Sequence, residues 1–419
     1  MPMKKILIFL TALLILILPI VGATAEQTAP AAPVFLDNSA IIHGDLLYYS
    51  GSVDGGEQGV FVMNADGSDA RRIAAIDASL LALSGSNLLV YHYDEMGDAS
   101  VAVLRADGTM VNLGDNFGGT AIAANRRFYW GFSSCAEDGS DLQTYFDPNT
   151  SAAYDYHPMA VHGDYLYYLD WSEMGEVVYA EGSGQPMGAA LCRLNLVDRS
   201  VETVSPLGTR FLGIEDNLIY YTRDNFWYEI DGGMDSAEYK VDQGLFCADL
   251  STLNEKRLAT YPTDNSLFDS YKLVENGIVY GLRYDYSSED GATTLLRVTK
   301  DGTRLPDVAL TGGSYFSLNC VQDGMVYLAC STFTVTEDDF IQTDCIIALN
   351  PETAVQTALN SDSIDMLFYS ESDPAVKVVN GRIYFSAYDM ERWALCLKSM
   401  NLDGTDLKLL AYGLSYAEG

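Results

Sequence analysis

Residues 41–73 read IIHGDLLYYSGSVDGGEQGVFVMNADGSDARRI, and the order of parts in this stretch decides the fold. A Gly44-Asp45 turn precedes an apolar-aromatic run, Leu46-Leu47-Tyr48-Tyr49. A polar loop leads to a second β-rich run, Gly59 to Met63, and a second turn follows at Asn64-Ala65-Asp66-Gly67. The first landmark, a turn before an aromatic run, returns at Ser86-Asn87, Arg126-Arg127, Gly163-Asp164, Asp216-Asn217, Asn276-Gly277, Asp323-Gly324 and Asn380-Gly381. The second returns from Arg105, Asp147, Asn195, Asp249, Thr299, Asn350 and Asn401. Eight copies of each landmark alternate strictly, and self-similarity of this kind marks a repeat architecture.

Each unit reads as a small antiparallel sheet. Asn-Gly, Asp-Gly and Gly-Asp supply the positive φ that tight hairpins need, and Val, Ile, Leu, Tyr and Phe suit a pleated, half-buried surface. No sustained 3.6-residue apolar period competes with the strand reading. A unit supplies four strands, and a lone four-stranded sheet has two apolar faces to cover. Radial stacking covers both, which predicts an all-β propeller of four-stranded blades. Eight units are counted, with six or seven blades as the alternative; a pair of β-sandwiches is the competing architecture.

The units HGDLLYYSG…GVFVMNADGSDARRI and HGDYLYYLD…ALCRLNLVDRSVETV resemble blades of a bacterial propeller domain of unknown function. That domain is similar to the low-density-lipoprotein-receptor-related propeller and to TolB-like propellers. The resemblance spans about residues 41–410. It implies a propeller and carries no catalytic residues; the nearest approach to the Tyr-Trp-Thr-Asp motif of the receptor relatives is Tyr220-Tyr221-Thr222-Arg223-Asp224.

The N-terminus reads as an export signal over residues 1–25. Lys4 and Lys5 precede an apolar run from Ile6 to Leu18, and Ala23-Thr24-Ala25 forms a small-residue cleavage site before Glu26. That run is shorter than the ~20 residues a spanning helix needs. Residues 26–33 form a flexible lead-in, and 34–419 a single propeller domain. The expected location is therefore extracellular or associated with the cell envelope, without stable membrane insertion. Removing the signal leaves 22 basic residues against 58 acidic ones, net −36. Such a surface keeps a chain soluble and excludes nucleic acid, because no basic groove forms to neutralise phosphates.

The 7 cysteines are an odd number, so one at least is left over from any set of internal pairs. Cys192, Cys247, Cys345 and Cys396 fall in the third strand of their units, where a small apolar side chain is wanted. The best disulfide candidate is Cys330 with Cys345, on successive strands of unit seven, worth about 3 kcal/mol if formed. Cys320 is a poorer partner for Cys330. A two-residue turn at Asp323-Gly324 sets Cys320 opposite Tyr327 and turns Cys330 to the other face.

Motifs for chemistry are sparse. No G-x-S-x-G elbow is present, which argues against the peptidases that join a propeller to a hydrolase domain. Asn64-Ala-Asp66-Gly-Ser-Asp69 and its counterpart at Asn401 lack the length and distal Glu of a calcium loop, and Asx residues are expected at hairpin turns. The cysteine and histidine spacings match no metal pattern, so neither metal nor cofactor is implied.

Loop length points to one place. The span from the aromatic run to the second landmark is 27 residues in unit four and 28 in unit five, against 14 to 22 elsewhere. These insertions occupy equivalent loops of adjacent units. They carry Trp171, Glu173, Glu176 and Tyr179 in one, and Phe226, Trp227, Tyr228, Asp231 and Asp235 in the other. Aromatics beside acids suit stacking on a sugar ring or gripping a basic peptide; the opposing reading is that they pack one insertion against the other. The function expected is a secreted, non-enzymatic propeller that binds a protein or glycan at the cell surface through these loops. The alternatives are a carbohydrate-active enzyme with carboxylates near the central channel, or a structural scaffold of an exported assembly.

Overall fold

Turn chemistry sets the blades. The computed structural model describes residues 32–413 apart from 38, 53–55, 94–96, 115–119, 147–155, 173–187, 231–234, 265, 288–290, 336–339, 360–365 and 369–373; the export signal thus lies outside the described residues. Eight antiparallel sheets follow one another along the chain, at 34–74, 78–114, 121–144, 156–205, 209–259, 267–309, 315–359 and 376–412. Each is a four-stranded meander, blade 1 carrying one strand more and blade 5 a separate two-stranded hairpin between its second and third strands. This is an eight-bladed β-propeller.

The first turn of each blade comes in two forms. Five have positive φ at both central residues, as at Asn276 and Gly277, which is the type I′ pattern and explains Asn or Asp in first place. Three begin with Gly44, Gly85 or Gly163 and keep the next residue out of the left-handed region, the type II′ pattern. Two turns sit one residue earlier than the landmarks suggest, at Gly85-Ser86 and Asn125-Arg126.

Blade 3 departs from the sequence reading. Its third and fourth strands, Ser133–Ala136 and Gln143–Thr144, meet across Glu137-Asp138-Gly139, not at Asp147, which lies outside the described residues. The reason is a Gly131-Phe132 connection of only two residues between strands two and three, with Gly131 at positive φ. The motif Glu137-Asp-Gly-Ser-Asp141 matches the other Asp-Gly turns and was eclipsed by the Asp-Pro-Asn that follows.

Strand alternation sends successive side chains to opposite blade faces, so every interface between neighbours has its own apolar core. Eight such clusters are present, one for each neighbouring pair around the ring. Blade 7 shows the division. Val326, Leu328 and Cys330 pack on blade 6, while Tyr327 and Ala329 pack on blade 8.

The ring closes by packing of complete blades. Leu36, Ile42, Tyr49 and Phe61 of blade 1 meet Tyr384, Leu397 and Leu410 of blade 8. Ser52 and Tyr412 exchange backbone hydrogen bonds of 2.9 and 3.1 Å across the seam. The extra strand, Val34–Asp37, pairs with the innermost strand of blade 1 and lies against the innermost strand of blade 8. It fills the inner gap where the two ends of the chain meet.

Candidate functional site on the long-loop face

Strand pairing gives the propeller two unlike faces. In blade 4, Tyr156, Asp170, Ala190 and Ser205 share one end of the sheet, and His162, Tyr165, Asn195 and Val201 the other. All tight turns therefore lie on one face, and the long connections and links between blades on the opposite one.

Carboxylates on the turn face are engaged locally. Asp66 Oδ1 accepts the N–H and hydroxyl of Ser68 at 2.9 and 2.7 Å. The same pair of bonds recurs at Asp107 with Thr109, Asp138 with Ser140 and Asp403 with Thr405. These bonds hold each carboxyl below its usual range, and at Asp301 down to about 2. No cluster of three or more metal-ligating side chains occurs among the described residues. The scarce cations are equally committed. Arg105 donates to Asp138 O at 2.7 Å, Arg193 to Leu250 O at 2.6 Å and Lys256 to Asp301 O at 2.7 Å, each tying a blade to the turn of the next. The excess acid is left facing solvent.

On the long-loop face, blades 4 and 5 carry the insertions singled out from the sequence. The insertions leave equivalent positions of adjacent blades, and their bases meet at Gly208. Its N–H donates to Gly188 O at 3.0 Å, its carbonyl accepts the Asp224 N–H at 2.9 Å, and a side chain at Gly208 would strike Asp224 O and Val241. Trp171 is only 7% exposed and packs on His157 at 5.9 Å between ring centres; Phe226 is 3% exposed and stacks on Tyr239 at 4.9 Å. Both rings are covered. Trp227 and Tyr228 lie on the strand Phe226–Ile230, and Asp235 pairs with Ile230 on the returning strand. Glu173, Glu176, Tyr179 and Asp231 lie outside the described residues. Beside this base, burial pushes the Asp224 carboxyl up to about 6, although Thr222, Arg210 and Tyr261 partly offset it.

Blades 6 and 7 hold a second aromatic cluster, and this one is open. Phe268 and Tyr315 stand at the loop-face ends of two innermost strands and are 53% and 41% exposed; Tyr286 is 66% exposed. Tyr284 lies directly across from Phe268 in the sheet and stacks with Phe268, Tyr286 and Tyr315 at 6.3, 6.3 and 6.4 Å. Phe368 closes the row edge-on to Tyr315 at 5.2 Å. The row continues the core between blades 6 and 7 outward, since Tyr280, Leu282 and Tyr284 share one strand face. The Phe146, Tyr156 and Tyr168 cluster between blades 3 and 4 is, by contrast, largely buried.

Asp269 takes Arg283 in a two-pronged pair at 2.6 and 2.7 Å on the sheet face opposite Phe268 and Tyr284, which raises the Arg283 pKa. Asp344 accepts from Ser331 at 2.6 Å and from the N–H groups of Leu367 and Phe368 at 2.7 and 3.1 Å, fixing the segment that bears Phe368. Asp264 and Asp285 flank the ledge. Bonds from the N–H and hydroxyl of Ser266, and from the hydroxyl and N–H of Ser287, hold them ionised below the usual carboxylate range. Neither is in an ion pair among the described residues. The sequence signal for this ledge was the apolar alternation Leu282-x-Tyr284-x-Tyr286, which runs past the strand end at Asp285.

No protein-family profile matches the chain, and no curated protein matches it. Among solved structures it is similar over 92% of its length to 97% of the β-propeller domain of the trilobed protease from Pyrococcus furiosus, at 10% identity and a TM-score of 0.41. It is similar to the acylaminoacyl peptidase of Pyrococcus horikoshii at 10% identity and a TM-score of 0.40, over 80% of this chain and 46% of that one. A post-proline cleaving enzyme from Rickettsia typhi is similar at 8% identity and 0.40, over 90% and 58%. The chain thus spans about half the length of the latter two.

These findings correct the function expected from sequence. The similar structures are titled as peptidases and a protease propeller domain, not as free-standing binding propellers, carbohydrate-active enzymes or scaffolds. Two rings of the expected platform, Trp171 and Phe226, are core residues. The resemblance to receptor-type and TolB-like propellers holds as far as the propeller fold.

Proposed function

We propose that the chain is the substrate-engaging propeller of a polypeptide-processing system, taking a cationic, extended stretch of substrate on the aromatic ledge of blades 6 and 7. The observation that carries this reading is the exposed stack of Phe268, Tyr284, Tyr286 and Tyr315 beside the unpaired carboxylates of Asp264 and Asp285. Arginine and lysine heads are attracted to aromatic faces by about 0.5–2 kcal/mol each, and the excess acid of the chain steers cations toward it. A row spread over two blades suits an extended segment better than a single small cation. Hydrolysis is assigned to a separate catalytic module. Export by cleavage before Glu26, and any closer kinship to TolB-like or receptor-type propellers, belong to the same reading.

The test is titration of a labelled, unstructured peptide with spaced arginines. The Phe268→Ala/Tyr286→Ala double variant should bind about tenfold more weakly than the native chain, and a peptide with glutamate in place of arginine should not bind. Equal affinity of the native chain and the double variant would refute the ledge as the site.

A further inference from the structure

We propose that Cys330 and Cys345 are a redox-active dithiol that closes a cross-strand disulfide and staples the projecting hairpin of blade 7. The strands Met325–Val335 and Phe340–Asn350 pair Cys330 directly with Cys345. Opposite residues of an antiparallel pair have Cα atoms about 4.5–5.5 Å apart, inside the range of about 4.4–6.8 Å that a disulfide spans. Both are thiols here, with Cys330 buried and Cys345 half-buried.

The surroundings keep this pair together and apart from other sulfur. Gly313 leaves the space that the Cys330 sulfur occupies, because a Cβ there would fall on Sγ. Cys320 lies opposite Tyr327 and packs toward blade 8, while Cys330 packs toward blade 6. Cys135, Cys192 and Cys247 lie in cores of other blades. The Cys330 thiol hydrogen-bonds Cys345 and holds its pKa below the usual thiol range; the same bond, with burial, pushes Cys330 up. The more exposed sulfur is therefore also the readier thiolate.

The place of the pair gives it leverage. Five further residue pairs, from Ser331–Asp344 to Val335–Phe340, continue the hairpin beyond it toward the long-loop face. Ser331 is also the sheet partner of Tyr315, and Asp344 carries the segment of Phe368. A bond between Cys330 and Cys345 would thus pin the strands that border one edge of the aromatic ledge. The inference stands independently of what that ledge binds.

The reaction is exchange with a small-molecule disulfide. Cys345 thiolate attacks one sulfur of oxidised glutathione and expels a glutathione thiolate. Cys330, once deprotonated, attacks Cys345 Sγ of the mixed disulfide and expels the second. The two protons lost by the cysteines end on the two glutathione thiols; the cysteine pair is oxidised and glutathione is reduced.

The experiment treats the folded chain with oxidised glutathione, then denatures it and alkylates the remaining thiols before mass spectrometry. The expected product has the peptides of Cys330 and Cys345 linked, the mass of two hydrogens lost, and five of the seven thiols alkylated. Proteolysis within the hairpin should slow by about tenfold. In Cys330→Ser, Cys345 should stop at the glutathione adduct. In Cys345→Ser, Cys330 should stay alkylatable. A native chain in which both cysteines remain alkylatable, or in which Cys345 keeps glutathione while Cys330 stays free, would overturn the proposal.

Discussion

Trp171 and Phe268 stand on the same face of the propeller, two blades apart, and meet opposite fates. Trp171 follows the second strand of blade 4 and is buried against His157. Phe268 opens the first strand of blade 6 and faces Tyr284 with half its surface in water. Both lie near acids. The difference lies in what packs on them: His157 lies against Trp171, whereas the end of the blade 6–blade 7 core at Phe268 is open.

This contrast is broken most directly by stability measurements. Trp171→Ala should lower the unfolding free energy in urea by about 3–5 kcal/mol, the range for truncating a buried large aromatic. Phe268→Ala should cost under about 1 kcal/mol, as for exposed positions. Equal losses at the two sites would erase the distinction. Leu36→Ala probes the seam in the same way. Its side chain fills the blade 1–blade 8 core, so a loss of about 2–4 kcal/mol is expected.

Titration sharpens the comparison next. Asp224 at the insertion base has a folded pKa of about 6, above its unfolded value, so its ionised form is disfavoured by folding. The cost is absent below about pH 4 and develops as pH rises through about 6. Asp224→Asn should thus gain about 3 kcal/mol at pH 7 and nothing at pH 3.5, as read by thermal unfolding at the two values. The carboxylates flanking the ledge have the opposite sign. Asp264 and Asp285 are held below their usual range, so their contribution is present at neutral pH and fades as pH falls below about 4. Asp285→Asn should be slightly destabilising at pH 7, an effect that fades only as pH falls below the usual carboxylate range. Asp344→Asn probes the ledge itself. Native-state hydrogen exchange of the Leu367 and Phe368 amides should quicken by about tenfold, and unchanged rates would remove Asp344 as the anchor of that segment.

Much of the architecture was legible in the chain because hairpin turns are local. Asn276-Gly277 or Asp66-Gly67 needs only its own backbone preferences to turn, and such turns mark each blade without knowledge of its neighbours. Blade 3 shows the limit: Asp147-Pro-Asn had turn residues as good as Glu137-Asp-Gly, and only strand pairing chose between them. The pairing of Cys330 with Cys345 was likewise readable from hairpin symmetry. The ledge was not, because its residues belong to four separate stretches of chain.

The sequence by itself determined that eight hairpin pairs form, where most of them turn, and that acid greatly outnumbers base. Those follow from φ preferences, side-chain alternation and composition, which act over a few residues. Only the tertiary structure decided which aromatics are core and which are surface, that Val34–Asp37 fills the seam, and that Arg105 and Arg193 tie one blade to the next. Burial is a property of what packs against a residue, and in a ring of blades that neighbour lies 40 or 50 residues away, or at the far end of the chain.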